Sequence, residues 1–496
     1  MEWLLFALVV VPILIALIVA RAPSDHAAAR LTLFAALAEL GLSAIAAAEV
    51  VYDGALTHEG EQFLGWSWHL DGLALMFVPL SAIATLLVVV QKERESRSYY
   101  ATVLGLEAAT MAMFCSLDLG VIWLAFVAQG LLGYALLRLP GEQGADAERR
   151  DAARHFLQIV AISAALLLGA VAWLGARTSA DLGALRLDLP NLVVLQLDDD
   201  TQRILFAVMI CALGLRVPIF PFHGWLPKVL AHSPTVVTAV FLLGIKSCAF
   251  VMLRFVWPIC AGAAEAHWTF LAWLGAIGTI YAGLVALVQE DVRLWLGYSA
   301  VSQMGIILLA MSAHNDDAIG GALLQLGSHG LSTAGLAFLS ASISTRTKTM
   351  LLTRMPALAR AMPKLSVMFL LIALGSLSMP GTSGFNGEHL ILLGALERHW
   401  MVAAAAGLGS LMTAAYLIIY YQRAFFVAGE SAGRTFSDLD RKEWLVCGTI
   451  VTIVFALGLL SSPLLSAMHH AVRGAFSGVA MLAPSPDVSV TKGAPR

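Results

Sequence analysis

Charged residues are scarce in this chain, and their scarcity decides its class. Only 13% of its 496 residues are Asp, Glu, Lys or Arg, whereas 59% are hydrophobic. A soluble domain carries about 25% charged residues, so the composition excludes an ordinary soluble protein and indicates one that crosses a membrane many times. The net charge of −3 and the lack of any basic run give no sign of nucleic-acid binding.

Cysteines are few and scattered, and their positions exclude the usual cysteine-based sites. The five are Cys115, Cys211, Cys248, Cys260 and Cys447. They form no CxxC pair and have no metal-ligand spacing, which predicts neither a disulfide framework nor an iron–sulfur or zinc site. No nucleotide-binding loop and no soluble domain interrupts the apolar sequence. The sequence therefore predicts no cofactor and no metal.

Apolar runs long enough to span a bilayer, roughly 17–25 residues each, make up most of the chain. About fourteen occur, at residues 4–20, 31–50, 70–90, 99–117, 119–137, 156–175, 204–228, 236–256, 267–289, 295–313, 318–343, 365–396, 401–421 and 444–467. The first has no basic stretch before it, which favours a retained helix over a signal peptide. These runs predict an all-α polytopic membrane protein.

The basic residues are distributed unevenly over the loops. Loops after odd-numbered helices hold 20 of the 30 Lys and Arg residues, and the opposite side holds 8. Because basic loops stay on the cytoplasmic side, this bias predicts cytoplasmic odd loops and both termini outside. The tail after Ala483 is polar and is predicted to be disordered.

Prolines and glycines interrupt two of the spans. In the seventh, Arg216 comes just before Pro218, Pro221 and Pro227, and in the twelfth, Glu388 is expected to restart a helix interrupted by Pro380, Gly381, Gly384 and Gly387. The two breaks are five helices apart, an odd number, so they enter the membrane in opposite senses. This predicts two inverted five-helix repeats, helices 4–8 and 9–13, with a site near the membrane midplane.

Few titratable side chains lie inside the apolar runs, and these are the candidate functional residues: Glu107, Arg216, Lys246, His329 and Glu388. A charge in hydrocarbon costs about 2.5–3.5 kcal/mol on insertion scales. Glutamate, lysine and histidine exchange protons when burial tunes them, but arginine does not. Simpler roles stay open: Lys246 could snorkel, His329 could be a packed histidine, Glu388 could cap a half-helix, and Glu107 could be purely structural.

Several motifs resemble the proton-conducting, antiporter-like subunits of respiratory complex I. They are RVPIFPFHGWLP, GIKSCAFVMLRF, SHGLSTAGLAFL and SMPGTSGFNGEHLILLGAL, and the last two favour the M-type, or chain 4, subunits. The resemblance covers roughly residues 70–425. The same family occurs in Mrp-type antiporters, membrane hydrogenases and inorganic-carbon uptake complexes.

The resemblance implies a fold, a set of site residues and partners. It implies fourteen helices, of which 7 and 12 are broken, and a proton relay through Lys246, His329 and Glu388, with Glu107 matching the family acid on helix 4. It divides the chain into helices 1–3 (1–98), a first repeat (99–260), a second repeat (261–425), helix 14 (426–480) and a tail (481–496). It also implies a bacterial inner-membrane location and partner membrane subunits that supply the driving force.

The chain departs from the family pattern at two places. The family's helix 5 glutamate pairs with a helix 7 lysine, and here an ungapped alignment places Val127 and Arg216 at these positions. Gln303 stands where a histidine is common. An arginine without an acid needs a counter-charge, so we expect Glu107 to pair with Arg216, directly or through one water.

Three functions follow from these observations. The first is an ion-translocating subunit of a complex I-like NADH:quinone oxidoreductase assembly, with no redox centre of its own; the proton is the expected ion, and sodium is the alternative. The second is a membrane subunit for inorganic-carbon uptake, or of another specialised energy-converting complex, which the missing helix 5 acid favours. The third is a membrane scaffold, which the retained Lys246, His329 and Glu388 oppose.

Overall fold

A computed structural model of the chain describes residues 2–59, 67–91, 96–139, 146–195, 197–232, 244–427 and 436–476. The tail predicted to be disordered lies outside these residues. The described chain is helical except for one hairpin and the connecting turns. Its N-terminal half contains α1 (Glu2–Ala20), α2 (Asp25–Asp53), β1 (Ala55–Glu59), β2 (Ser67–Asp71), α3 (Phe77–Gln91), α4 (Arg97–Cys115), α5 (Leu119–Arg138), α6 (Asp146–Leu182), α7 (Leu189–Val194), α8 (Asp199–Arg216) and α9 (Trp225–His232).

The second half continues the helical pattern. A helix described from residue 244 to 251, α10, runs into a π-helical turn at Met252–Val256. The remaining helices are α11 (Trp257–Ile259), α12 (Ala261–Ala266), α13 (Trp268–Leu287), α14 (Val292–Ser312), α15 (Asp316–Thr347), α16 (Leu358–Ala361), α17 (Pro363–Ser376), α18 (Ser383–Arg398), α19 (Trp400–Phe425), α20 (Arg441–Leu459) and α21 (Ser461–Phe476).

Eight of the described helices are long and apolar enough to cross a membrane: α1, α2, α5, α6, α13, α14, α19 and α20. Two shorter helices, α3 and α17, are also apolar. The other predicted spans fall on helices that are interrupted or carry polar residues, as α4, α8 and α15 do. The architecture is therefore that of a helical membrane protein, and the count of fourteen spans stays a prediction.

Side-chain caps define where several of these helices begin. Asp118 accepts a hydrogen bond from the backbone N–H of Val121 at the start of α5, and Asn315 accepts one from Ala318 at the start of α15. Such caps satisfy N–H groups that have no partner within the helix. In a membrane this matters more, because no water replaces a missing partner.

The C-terminal segment, residues 426–480, contains two described helices, whereas the sequence predicts a single helix there, at 444–467. The helix α20 ends at Leu459 and a separate helix, α21, begins at Ser461. Pro463 lies in the first turn of α21, where a proline is favoured because that N–H has no helical partner. Arg473 of α21 forms an ion pair of 2.8 Å with Asp316 at the start of α15.

The third span is also shorter than predicted, because residues 67–71 form a strand rather than the start of a helix. The strand β2 pairs with β1 in an antiparallel hairpin. Asp71 at its end accepts two hydrogen bonds from Arg254, with Nη1–Oδ1 and Nη2–Oδ2 distances of 2.8 and 3.1 Å. The Arg254 side chain is fully buried. This bidentate pair fixes the hairpin to the π-helical turn after α10.

Asp71→Asn is expected to lower the free energy of unfolding by about 3–5 kcal/mol, because it strands a buried guanidinium. Burial alone raises the pKa of Asp71, but the Arg254 charge and a hydrogen bond to His69 outweigh it and hold the pKa below its usual range. The contribution is therefore present above about pH 4 and is lost as the pH falls through the lowered pKa. Thermal unfolding in detergent measures both effects.

The control is Asp25→Asn, which removes the carboxylate of an exposed pair with Arg97. Exposed pairs contribute little, so this variant should melt close to wild type. Equal melting temperatures for the two variants would show that the Asp71–Arg254 pair does not hold the hairpin.

Candidate functional site

The helix break at Arg216 comes where the prolines predict it. The helix α8 ends at Arg216, a short 3-10 helix covers Phe222–Gly224, and α9 follows. The prolines leave carbonyl groups of α8 without a backbone partner, and the Trp225 indole Nε1 donates to one of them, the carbonyl of Leu215, at 2.7 Å. The break thus holds Arg216 at a helix end inside the protein.

Gln129 of α5 is the hydrogen-bond partner of Arg216. Guanidinium Nη2 donates to Gln129 Oε1 at 3.0 Å, and Nη1 lies 3.5 Å from the Phe126 carbonyl oxygen. The guanidinium carbon lies 4.7 Å from the centre of the Phe126 ring and 5.6 Å from that of Phe156. The buried cation is therefore stabilised by an amide dipole and two aromatic faces, not by an acid among the described residues.

The same amide connects Arg216 to two further helices. Gln129 Nε2 donates to the Thr110 hydroxyl of α4 at 3.1 Å and to the Ser247 hydroxyl of α10 at 2.9 Å. All hydrogen-bonding capacity of this amide nitrogen is thereby used. The alignment had placed Val127 opposite Arg216, but Val127 is only half-buried and Gln129 makes the contact.

Glu107 and Arg216 do not form the expected direct ion pair, and a pairing through one water stays a prediction. Neither Glu107 oxygen has a hydrogen-bond partner among the described residues. The Arg216 guanidinium donates to Gln129 instead. The two side chains line separate cavities of about 20 Å³ each, which share only Leu106 and Gly244 as lining residues. Glu107 is directed towards α3, and Arg216 towards α5.

Lys246 of α10 and His329 of α15 form a direct buried contact. Lys246 Nζ lies 3.0 Å from His329 Nδ1 and 3.9 Å from Met304 Sδ. The two residues are 3% and 2% exposed, so Lys246 does not snorkel to water. Two positive charges at this separation would repel by about 5 kcal/mol at an effective dielectric constant of 20. The pair is therefore expected to carry at most one positive charge.

Glu388 lies inside α18 rather than at its start. The helix begins at Ser383, with Thr382 as its N-cap residue, so Gly384 and Gly387 are helical and the break covers residues 377–382. Glu388 is buried. The cap role is thereby excluded, and the carboxyl belongs to the protein interior.

A chain of neutral polar groups runs beside Glu388. Gln325 of α15 lies against Gly387 and donates from Nε2 to Gln303 Oε1 at 2.9 Å, and Gln303 donates to the Thr413 hydroxyl of α19 at 3.0 Å. Gln303, at the position where the resemblance implies a histidine, is thus a hydrogen-bonded link. The Ser328 and Ser383 hydroxyls, 2.7 Å apart, join α15 to α18.

The helix α10 connects the two halves of this arrangement. Its Ser247 accepts a hydrogen bond from Gln129, and the preceding residue, Lys246, contacts His329. The sequence had identified Lys246, His329, Glu388 and Arg216, but not Gln129 or Gln325, because only titratable residues were considered. A glutamine inside an apolar helix is the signal that would have indicated both.

Fold and site together define a polytopic membrane protein with buried, partly protonatable side chains along its interior, as ion-translocating membrane proteins have. Residues 116–413 match the family described as NADH:quinone oxidoreductase/Mrp antiporter, TM. The NADH-quinone oxidoreductase subunit M of Rhodobacter capsulatus is 31% identical over 406 residues, which cover 79% of this chain and 78% of that one. The chain belongs to this family, and the resemblance seen in the motifs is confirmed.

Two solved structures share the fold. A chain of respiratory complex I from Thermus thermophilus superposes with a TM-score of 0.86 at 24% identity, covering 96% of this chain and 99% of that chain. A chain of the Mrp complex from Dietzia superposes with a TM-score of 0.85 at 19% identity, covering 97% and 98%. At these identities the likeness establishes the fold.

Proposed function

We propose that this chain is a proton-translocating membrane subunit of a complex I-like NADH:quinone oxidoreductase assembly. The observation that carries the proposal is the buried Lys246–His329 contact, 3.0 Å long. It is a proton site in the protein interior that shares one charge between two protonatable groups. The described residues offer no group of three or more metal-ligating side chains. In this proposal the driving force comes from partner subunits.

The route for the proton follows the second half of the chain. From Lys246 and His329 it passes by the hydroxyl pair of Ser328 and Ser383 to the buried Glu388. Gln303 and Gln325 hold the neighbouring polar chain in place without exchanging protons themselves. Glu388 is the acid that receives the proton, because it is the buried carboxyl of α18.

The finer architecture is part of the proposal. We assign fourteen spans, with inverted repeats over helices 4–8 and 9–13, in a bacterial inner membrane with both termini outside. The first repeat covers residues 99–260 and the second 261–425. The breaks after Arg216 and before Ser383 support this arrangement, and labelling of the loop at Gly144 from the cytoplasmic side tests the orientation.

The Arg216–Gln129 contact favours a second function. A guanidinium paired with an amide loads and unloads no proton near neutral pH, so the first repeat differs from that of an ordinary pump. A membrane subunit of an inorganic-carbon uptake complex, in which proton flow drives a partner's chemistry, accommodates such a change. Sodium in place of the proton remains an alternative for the ion.

Purification in mild detergent distinguishes these functions. For the leading proposal, quinone oxidoreductase subunits are expected to copurify, and the reconstituted assembly should acidify one compartment when NADH is oxidised. A zinc-containing, carbonic-anhydrase-like partner would replace this proposal by the second. A chain that purifies alone would contradict both.

A further inference from the structure

Glu39 is a buried acid in the middle of α2, a helix without an assigned role. It is 1% exposed, and neither carboxyl oxygen has a hydrogen-bond partner among the described residues. It lies on the buried stripe of the helix, whose other members are mostly small: Ala28, Thr32, Ala35, Ala36, Ser43, Ala46 and Val50. This stripe packs against α1, α3 and α4, so the carboxyl faces protein and not lipid.

Glu107 is a second buried acid of the same kind. It is 3% exposed, lies in the middle of α4, and lines a cavity of about 20 Å³ together with Ser81 and Thr85 of α3 and Thr110 of α4. A cavity of this size has room for one water molecule. The helix α4 packs against α2, which brings Glu107 near enough to Glu39 for their charges to interact.

The helices around these acids supply no counter-charge. Among α1 to α4, the Lys and Arg residues are Arg30, which is exposed, and Arg97, which bonds the carbonyl of Ala22 at the helix ends. Lys246 already contacts His329, and Arg216 already donates a hydrogen bond to Gln129. An unpaired carboxylate is costly at membrane depth, and two whose charges interact are costlier still, which favours a bound proton on at least one of them.

We propose that Glu39 and Glu107 form a two-carboxyl proton site between α2, α3 and α4, in which at least one carboxyl stays protonated at neutral pH. The ligand is the proton, because the polar lining of the cavity is one carboxyl group and three hydroxyl groups, and its small volume leaves little room for further oxygen ligands of a metal cation. Thr110 lines the cavity, and its hydroxyl accepts a hydrogen bond from Gln129, the partner of Arg216. The site therefore adjoins the Arg216–Gln129 contact. Through Glu107, the site gives the first repeat a group that exchanges protons, which Arg216 and Gln129 do not.

Infrared spectroscopy of the purified full chain tests this site without measuring transport, so its outcome is independent of the proposed function. The C=O stretching band of a protonated carboxyl is separate from the bands of carboxylates and amides. At about pH 8, well above the ordinary glutamate pKa of about 4.3, wild type should retain such a band. Glu39→Gln and Glu107→Gln should each change it, and their effects should not add, because the two groups share a site.

Glu49→Gln is the matched control, because Glu49 lies on the same helix but is half-exposed, and it should leave the band unchanged. Thr85→Val keeps both acids and removes a hydroxyl from the cavity, so it should shift the band even if a glutamine variant does not fold. Replacing potassium by sodium in the buffer should have no effect. A band insensitive to Glu39→Gln, Glu107→Gln and Thr85→Val would overturn the site, and a band lost in sodium would overturn the proton as its ligand.

Discussion

Lys246→Met should abolish ion translocation while the subunit still assembles. Methionine keeps most of the bulk of the lysine but has no charge and binds no proton. His329 would then lose the partner 3.0 Å away with which it shares its charge, and the relay would be cut at α10. Because the substitution also removes a buried cation, it should not destabilise the fold. Proton translocation by the reconstituted assembly should fall to the level of an assembly without this subunit.

Lys228→Met is the matched control for this experiment. Lys228 carries the same functional group on α9, but it is partly exposed and forms a surface ion pair of 2.8 Å with Asp151. We expect near-normal translocation in this variant. Full activity in Lys246→Met would remove the Lys246–His329 pair from the mechanism and favour a scaffold.

The double variant Gln129→Glu with Arg216→Lys should restore a proton-exchanging pair in the first repeat. Gln129 Oε1 already lies 3.0 Å from the guanidinium, so a glutamate there would face a lysine at ion-pair distance. Both new groups gain or lose protons, whereas the native amide and guanidinium do not. If the native contact limits this half of the subunit, the number of protons moved per NADH should rise.

Val127→Glu with Arg216→Lys is the control for position. Val127 is half-buried, and Gln129, two residues further along α5, is the one that bonds Arg216. A glutamate at position 127 would therefore point away from the new lysine and cost about 2.5–3.5 kcal/mol in apolar surroundings. This variant should melt at a lower temperature than the Gln129→Glu variant and show no gain. Equal behaviour of the two double variants would refute the assignment of Gln129 as the residue opposite Arg216.

The difference between Val127 and Gln129 shows what an ungapped alignment misses. Two residues along a helix differ by about 200° in direction, so an error of two positions turns the side chain to the other side of α5. The sequence carries no direct measure of that rotation. The structure resolves it through the contacts of Arg216 with Gln129 and Phe126.

Glu39 was missed for a related reason. In the sequence it is one polar residue within a small-residue helix that has neither a break nor a family motif. The burial of its stripe depends on how α2 packs against α1, α3 and α4. Glu107 was identified correctly as a buried acid, but its partner was chosen by elimination along the chain, and the cavity that it lines is formed by α3 as well as α4.

The sequence by itself determined the membrane class, the presence of the two helix breaks and the family, because hydropathy, proline and motif spacing are local properties of the chain. It also identified Lys246, His329 and Glu388, since a titratable residue in an apolar run is costly wherever the helix packs. Only the tertiary structure decided the partners: His329 for Lys246, Gln129 for Arg216, Arg254 for Asp71. Each pair joins residues 80 or more positions apart, and which faces meet is set by the packing of whole helices and not by local sequence.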